Sequence, residues 1–510
     1  MSTQKKLMTN WRWWICSLLF IATTVNYLDR QVLSLTYKEF IAPEFHWTDA
    51  DYGTITSLFS IFYAIACLFA GKFVDWMGTK KGYLIAIGVW SLGAVMHAGC
   101  GVATTWFVDG VDSVSALRAV EAGSNIALSI STVSVYLFLL CRGILALGES
   151  GNFPAAIKTT AEYFPKKDRA FATSIFNAGA SVGALAAPLL IPPLAKNLGW
   201  EWAFIIIGGL GFLWMFLWQF MYDKPEKSKH VNEAELEYIH QDDVAALPEE
   251  GNAPSVANKK ADAPSGASPS PGVSTSAGAS PSEEKSIPFF RCFGFKQTWS
   301  FIVGKFLTDG VWWFFLFWAP AYFQDQFNAP ASSPLGQGLI FTLYAIVTVI
   351  SLFGGYLPKL FVEKKGMHPY NGRMLAMLIF AFFPLVALAA QPLGAYSPWW
   401  PAVLIGIAGA GHQAWSANIF STVGDMFPKS TIASITGIGA MAGGIGSMII
   451  QKVAGNLFTY AEAQGAAFHF MGFEGKPAGY FIMFCFCGLA YLTGWIIMKA
   501  LVPKYKPVEV

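Results

Sequence analysis

The sequence predicts an all-α membrane protein with twelve transmembrane helices arranged as two pseudo-symmetric halves of six. Composition is the first observation: of 510 residues, 54% are hydrophobic, 16% are aromatic and only 13% are charged, and the mean hydropathy is +0.45. One soluble core cannot bury that much apolar surface. The second observation is a series of apolar stretches, each offering the about 20 helical residues that cross a bilayer.

The expected spans divide into six before and six after a long polar segment. They cover residues 11–37, 50–74, 80–102, 129–156, 170–195, 201–222, 297–323, 335–362, 371–391, 399–421, 431–456 and 477–501. The second, fifth, eighth and eleventh of these spans are rich in Gly, Ala and Ser, which favours close helix packing inside a bilayer.

The polar segment in the middle of the chain predicts a linker between two domains. It begins with a charged amphipathic stretch at 232–241, which predicts a surface helix, and continues into a region dominated by Ala, Ser, Gly and Pro. That region has too few large apolar residues to fold, so we expect a flexible cytoplasmic linker. The expected boundaries are 1–222 for the first half, 223–296 for the linker and 297–510 for the second half.

A short internal repeat supports the division into halves. Glu162-Tyr-Phe-Pro-Lys166 precedes the fifth span, and Asp425-Met-Phe-Pro-Lys429 precedes the eleventh. An acid followed by x-Phe-Pro-Lys at the same place in both halves indicates duplication. Helical transporters built from two such halves bind their substrate near the bilayer midplane between them.

The distribution of Lys and Arg predicts the orientation. Most of the 34 basic residues fall in loops and helix ends that share one side of the membrane with the amino terminus. The positive-inside rule then places both termini in the cytoplasm. We expect no cleavable signal, because the first apolar run is long enough to span and lacks a cleavage pattern.

Several functional classes are not supported by the sequence. The seven cysteines lie mostly in apolar spans without metal-binding spacing, so we expect buried hydrophobic residues and no metal site. No nucleophile, base or metal constellation of an enzyme is present in the spans, and we expect no cofactor. The net charge of +2 reflects membrane topology, and no nucleic-acid partner is expected.

Four charged residues lie inside expected spans: Asp29, Arg30, Arg142 and Glu149. Because a charged group at the bilayer centre costs about 3 kcal/mol or more, such groups usually face a polar cavity and carry function. The fork of Arg30 suits a carboxylate, although a permanent pairing with Asp29 is the structural alternative. Two acids beside two arginines predict an ion-coupled carrier of an anion.

The spacing of Arg142 and Glu149 limits what the two can do together. They lie seven residues apart, on one face of a helix but separated by about 10 Å of rise. They are too far apart to pair directly, yet they can share a polar cavity with water or a mobile partner. Motion of the carboxylate relative to the arginine could switch its protonation, whereas a fixed structural network is the alternative.

The loop between the second and third spans carries a recognisable pattern. Its functional positions, which we expect to form a gate, are Gly71, Asp75, Gly78, Lys80 and Lys81. The glycines allow a tight turn, and Asp75 can meet a basic partner or a helix terminus. The loop resembles the signature loop of the major facilitator superfamily but departs from it at Trp76, where a basic residue is usual.

Within that superfamily, further motifs resemble the anion:cation symporter family. In the first half the motifs are Asn26-Tyr27-Leu28-Asp29-Arg30, Arg142-x6-Glu149, Phe153-Pro-Ala-Ala-Ile-Lys158 and Phe176-Asn177-x-Gly179. In the second half, Gly355-Tyr-Leu-Pro358 and Gly411-His-Gln-Ala414 are most similar to bacterial hexuronate carriers.

The resemblance implies roles for the intramembrane charges. Arg30 would hold the substrate carboxylate, Asp29 and Glu149 would take protons, and Arg142 would pair with Glu149. The implied activity is proton-coupled import of glucuronate or galacturonate by a monomer in a bacterial inner membrane. An aldonate, a dicarboxylate or sialic acid is the alternative substrate, and a membrane sensor without transport is a further alternative.

Additional substrate contacts are expected around Arg30 and in the second half. Asn26 and Tyr27 share its helix face and could bind sugar hydroxyls, although Tyr27 could equally pack in the core. The resemblance favours Tyr63 and Asn177, for which core hydrogen bonding is the alternative. In the second half the candidates are Trp313, His412, Gln413 and Asn418. Lys305 and Asp309 are spaced for an i,i+4 ion pair.

Overall fold

The computed structural model describes residues 8–241, 287–351 and 353–508. The predicted flexible part of the linker lies almost entirely outside these residues. Below, the first half means residues 8–241 and the second half means residues 287–508. The amphipathic stretch at the start of the linker forms a short helix, Glu233–Ile239, as its pattern predicts.

Twelve helical elements of the described residues correspond to the predicted spans. In the first half they are α1 (Trp11–Thr36), α2 (Asp49–Met77), α3 (Thr79–Phe107), α4 (Asn125–Tyr163), α5 (Lys166–Leu198) and α6 (Trp200–Met221). In the second half they are α7 (Lys296–Phe327), α8 (Pro334–Ser351 and Phe353–Lys365), α9 (Pro369–Gly394), α10 (Trp399–Met426), α11 (Lys429–Gln464) and α12 (Gly475–Leu501).

Ten of these elements are long and apolar enough to cross a membrane. The two that fall short in composition are α1 and α10, which are still 26 and 28 residues long. Both carry several buried polar side chains, including Asn26, Asp29 and Arg30 in α1 and His412 and Asn418 in α10. Their lower hydropathy therefore follows from the candidate site residues themselves.

Shorter elements complete the connections. Single turns lie at Tyr37–Ile41, Ala42–Phe45, Val114–Arg118, Pro225–Lys227, Phe289–Gly294 and Gly465–Ala467. Strand β1 (His469–Phe470) pairs antiparallel with β2 (Phe473–Glu474), in register Phe470 with Phe473. Met471 and Gly472 between them both have positive φ, which matches the twist of a tight hairpin.

The bundle has two ends, which we name by the chain elements they hold. The terminal face holds the start of α1 and the end of α12, and the distal face holds the end of α1 and the start of α12. Close packing of α2 on α11 joins the two halves. A Cβ on Gly53 would lie 2.7 Å from the carbonyl oxygen of Gln451, so no larger residue fits there without a shift.

Candidate functional site

The four intramembrane charges predicted from the sequence lie together in the first half, and we call them the central cluster. Asp29 and Arg30 come from α1, Arg142 and Glu149 come from α4, and all four are buried. Arg30 donates from Nε and Nη2 to Oε2 of Glu149, at 3.0 and 2.6 Å. A buried ion pair therefore joins α1 to α4.

The remaining polar atoms of the central cluster are largely unbonded. Within the described residues, Nε and Nη1 of Arg142, both carboxylate oxygens of Asp29 and Oε1 of Glu149 have no hydrogen-bond partner. Arg142 lies over the ring of Phe59, 5.1 Å from its centroid. Glu149 and Arg142 both lie close enough to Asp29 to act on it electrostatically. Unmade bonds at buried charges are costly, which marks this cluster as a functional candidate.

The pairing differs from both arrangements raised by the sequence. The family resemblance implies a pair between Arg142 and Glu149, and the structural alternative was a pair between Arg30 and Asp29. In the structure Glu149 is instead bonded to Arg30. Adjacent residues on a helix do not face each other, which disfavours Arg30 with Asp29. Two helical turns separate Arg142 from Glu149, as the spacing predicts.

Aromatic rings surround the Arg30 guanidinium. Its central carbon lies 4.8 Å from the ring centroid of Tyr63, 4.9 Å from Trp313 and 5.3 Å from Tyr27. Trp313 belongs to α7, so the second half contributes to this enclosure. Rings stabilise the cation through their quadrupoles and exclude water from one side of it. Phe59, at 5.9 Å, was not singled out in the sequence, although its spacing from Tyr63 places both on one face of α2.

Two other first-half candidates differ in position. Asn26 is buried beside the central cluster, and its Nδ2 has no hydrogen-bond partner among the described residues. Asn177 is exposed on α5, and the described contacts do not bring it to Arg30. Of the two, Asn26 is therefore placed to reach a ligand bound at Arg30. Asn177 is exposed on the surface of α5, apart from the central cluster.

The second-half candidates in α10 are mostly engaged within the protein. His412 Nδ1 lies 2.8 Å from the hydroxyl of Tyr491, and its ring stacks on Trp312 at 5.6 Å. Asn418 donates to the carbonyl oxygens of Gly354 and Ala414, both at 2.8 Å. Gln413 is half-buried. Helix packing therefore uses His412 and Asn418.

The spacing of Lys305 and Asp309 does give an ion pair. Nζ of Lys305 lies 2.7 Å from Oδ2 of Asp309, and the ammonium also lies 4.3 Å from the ring centroid of Phe420. A Cβ on Gly443 of α11 would lie 2.1 Å from the same Asp309 oxygen. Close packing of α11 thus fixes the carboxylate where the lysine reaches it.

The predicted gating loop lies at the terminal face. Asp75 pairs with Lys158 of α4 at 2.8 Å, and Lys80 pairs with Asp223 at the same distance. Gly78 has φ +78°, a conformation that favours glycine, whereas Gly71 has open space around its α-carbon. Lys81 is exposed, and so is Trp76, with 80% of its surface accessible. These contacts all lie within the first half.

A second charged group, which the sequence analysis did not predict, lies at the distal face. Lys38, Asp49, Asp325 and Lys476 form a closed set of ion pairs there, which we call the distal ring. Each of these residues lies at or beyond the end of a predicted span. Their positions suggested membrane topology, and only the packing of the halves brings them together.

The structure combines helices long and apolar enough to cross a membrane with a buried cluster of charges close to the contact between its two halves. This combination is typical of a multi-pass membrane transporter. A model of the Major Facilitator Superfamily matches residues 19–450, and the chain belongs to that superfamily. Its matches are transporters and not enzymes, as the sequence predicted.

Individual relatives agree with this assignment. The chain is 24% identical over 447 residues to the hexuronate transporter of Escherichia coli (strain K12), covering 88% of this chain and 87% of that protein. It is 26% identical over 453 residues to the D-galactonate transporter of Escherichia coli O6:H1, covering 88% and 89%. Among solved structures, a bacterial homolog to the human lysosomal transporter Spinster, inward-facing and occupied, has a TM-score of 0.64 at 15% identity, covering 98% and 99%. The chain is thus related to transporters of sugar acids.

Proposed function

We propose that this protein imports a hexuronate, glucuronate or galacturonate, together with protons by alternating access. One observation carries the proposal: a buried arginine fork, Arg30, is held by a single oxygen of a buried acid, Glu149. A guanidinium presents parallel donors that fit a carboxylate, so a substrate carboxylate can take the place of Glu149. Similarity to the hexuronate transporter supports a sugar acid as the substrate.

In the proposed mechanism, exchange of partners at Arg30 couples protons to substrate. Protonation of Glu149 removes the charge that holds the guanidinium, and the substrate carboxylate then binds in its place. Two arginines and two acids sum to zero charge, so one proton taken up per bound carboxylate keeps the central cluster neutral. Asp29, whose oxygens are unbonded among the described residues, is the proposed second proton acceptor, with Arg142 close enough to stabilise its charged form.

The sugar is proposed to lie against the aromatic enclosure. Trp313 offers an apolar ring to one face of the sugar, and Tyr27, Tyr63 and Asn26 offer hydrogen bonds to its hydroxyls. From α10 we propose Gln413 as the direct contact, because His412 and Asn418 already have partners within the protein. Asn177 would contact a ligand entering along α5.

The proposed orientation has both termini in the cytoplasm, with the terminal face inside and the distal face outside. The excess of Lys and Arg at the terminal face supports this orientation. On that orientation, the closed distal ring excludes an outward-open state. The two halves, joined by the linker, would rock around the central cluster as a monomer in a bacterial inner membrane.

The test is uptake of labelled glucuronate into liposomes that hold the purified protein, under an imposed inward proton gradient. Competitors would be galacturonate, galactonate, sialic acid and neutral glucose. We expect accumulation that a protonophore abolishes, that uronates compete and that glucose does not. Folded protein that takes up none of these acids would refute the assignment.

A second candidate substrate is an aldonate such as galactonate. Similarity to the D-galactonate transporter, over most of both chains, favours it. The same competition experiment separates the two, because discrimination depends on contacts to the ring and hydroxyls and not on the shared carboxylate. Stronger competition by galactonate than by either uronate would favour the aldonate.

A further inference from the structure

The distal ring alternates bases and acids so that every member touches two others. Lys38 Nζ lies 3.1 Å from Oδ1 of Asp49 and 3.2 Å from Oδ1 of Asp325. Lys476 Nζ lies 2.5 Å from Oδ2 of Asp49 and 2.9 Å from Oδ2 of Asp325. Four contacts therefore join two ammonium groups to two carboxylates. Lys476 also lies 3.2 Å from Oε2 of Glu462, an acid of the second half whose side chain is 63% exposed to solvent.

Two of these four contacts cross between the halves. Lys38 and Asp49 belong to the first half, and Asp325 and Lys476 belong to the second. The crossing pairs are Lys38 with Asp325 and Lys476 with Asp49, and the other two pairs each remain within one half. The side chains are between 1% and 20% exposed, so water screens the pairs only weakly.

A tyrosine in each half bonds to the acid of the same half. Tyr37 donates its hydroxyl to Oδ1 of Asp49 at 2.6 Å. Tyr480 donates to Oδ2 of Asp325 at 2.8 Å. Each half therefore keeps one lysine, one aspartate and one tyrosine in contact with each other, and the second half also keeps the contact of Lys476 with Glu462.

We propose that the distal ring is a reversible gate that opens by splitting into these two sets, each of which keeps its own lysine, aspartate and tyrosine together. Removing one partner from a buried ion pair usually leaves a costly uncompensated charge. Here the separating halves lose only the crossing pairs, because each aspartate keeps the lysine and the tyrosine of its own half. The arrangement therefore lowers the cost of opening while holding the distal face closed at rest.

Neighbouring contacts close the same face and would break in the same motion. The ring of Tyr52 stacks on Tyr37 at 3.8 Å, and its hydroxyl donates to the carbonyl oxygen of Phe317 at 2.9 Å. Glu39 accepts from the backbone of Ser332 at 3.2 Å. The stacking of Tyr52 on Tyr37 lies within the first half, whereas the bonds of Tyr52 to Phe317 and of Ser332 to Glu39 run between the halves, so a single motion can break these two bonds.

The test measures whether a thiol reagent can reach the contact between α2 and α11 that lies beneath the gate. Ser447 is fully buried on α11, with its hydroxyl 3.1 Å from that of Ser60 on α2. A nearly isosteric Ser447→Cys variant in lipid nanodiscs would be treated with a membrane-impermeant maleimide, which reaches both faces of the disc. The same protein without this substitution gives the background from the seven native cysteines. No substrate is needed, so the result is independent of the proposed transport activity.

Breaking the crossing pairs should expose this site. In the Ser447→Cys background, Asp325→Asn and Lys38→Gln are each expected to raise the labelling rate about tenfold, as the closed state loses part of its advantage. The matched control is Arg118→Gln. Arg118 pairs at the same face with Glu44 and Glu201, but all three belong to the first half, so labelling should not change.

A charge-reversed ring provides the rescue. Lys38→Asp, Asp49→Lys, Asp325→Lys and Lys476→Asp, combined with Glu462→Lys to keep the fifth pair, restore every pair with opposite sign, and labelling should return to near the starting rate. Unchanged labelling in both single variants would overturn the proposal, and so would a reversed ring that labels as fast as they do. If Asp325→Asn does not give monodisperse protein, the more exposed Lys38→Gln decides the question.

Discussion

The central cluster and the distal ring contain the same charges, two bases and two acids, yet they use them differently. Every ion pair available to the distal ring is made. The central cluster makes one pair, Arg30 with Glu149, and leaves Asp29 and two nitrogens of Arg142 without a hydrogen bond among the described residues. One group of charges is therefore fully paired within the protein, and the other retains polar atoms that a ligand could bind.

The difference identifies which group is suited to bind a ligand. A fully paired set of buried charges has no capacity left for an incoming carboxylate or proton, so its role is to hold two parts together. A set with unmade bonds gains free energy when a ligand supplies the missing partners. The comparison therefore indicates that the distal ring holds the two halves together, whereas the central cluster exchanges its ion-pair partners for a ligand or a proton.

Replacing Arg30, the proposed carboxylate-binding arginine, should have the largest effect on uptake. Arg30→Lys keeps the charge but offers a point donor in place of a planar fork, so the bond to a carboxylate loses its geometry. We expect glucuronate uptake to fall about 1,000-fold, corresponding to about 4 kcal/mol for a disrupted buried charge pair. The measurement is initial uptake into proteoliposomes at matched protein content.

The control is an arginine pair at the terminal face. Arg373 lies 2.5 Å from Asp425 and is partly exposed, so Arg373→Lys should change uptake by no more than about twofold. Uptake that survives Arg30→Lys, or an equal loss in both variants, would contradict a special role for the fork.

The pair of Lys305 and Asp309 tests whether burial of charge is enough to make a functional site. Asp309→Asn should destabilise the protein by about 3 kcal/mol, because it leaves the Lys305 ammonium buried without its acid. Lys305→Met combined with Asp309→Leu should recover most of this stability and keep glucuronate uptake. Thermal unfolding in detergent and uptake measure the two effects. Loss of uptake in a stable double variant would show that the pair participates in transport.

The proton-coupling acids should separate accumulation from binding. With Glu149→Gln or Asp29→Asn, the accumulation driven by an imposed gradient of about one pH unit should fall about tenfold, since each coupled proton contributes about that factor. Exchange of labelled for unlabelled substrate should continue, because Arg30 remains. The comparison is made in one preparation of liposomes with and without the gradient. Accumulation equal to that of the unaltered protein would remove the replaced acid from the coupling mechanism.

The sequence predicts the central cluster well because its residues violate a strong rule. Charges are so costly inside an apolar span that Asp29, Arg30, Arg142 and Glu149 are visible by position alone. Local spacing also predicts correctly the pair of Lys305 with Asp309 and the short helix Glu233–Ile239. Each of these inferences uses only residues that are close together in the sequence of a single helix.

Contacts between distant parts of the chain could not be predicted in this way. Arg30 and Glu149 are 119 residues apart, and their pairing depends on how α1 packs against α4. The distal ring draws on residues at four helix ends, where Lys and Asp are common and no rule marks them. His412 and Asn418 were predicted as ligand contacts, and their bonds to Tyr491 and Gly354 depend on the packing of α10 against α12 and α8.

Another buried acid, remote from both groups of charges, should show the smallest effect on uptake and should act on stability alone. Glu235 accepts from the backbone nitrogens of Trp11 and Arg12, at 3.0 and 3.1 Å, and from Nη1 of Arg12 at 3.0 Å. It thereby caps the start of α1 from the linker helix. Glu235→Gln should cost about 3 kcal/mol, seen as a lower melting temperature, since it leaves the buried Arg12 guanidinium without its acid and removes the negative charge from the helix amino terminus. Glu237→Gln, exposed on the same helix, is the control and should leave the melting temperature unchanged. Uptake should be normal in both variants, because a fully bonded acid has no bond to exchange; a transport defect in folded Glu235→Gln protein would contradict that division.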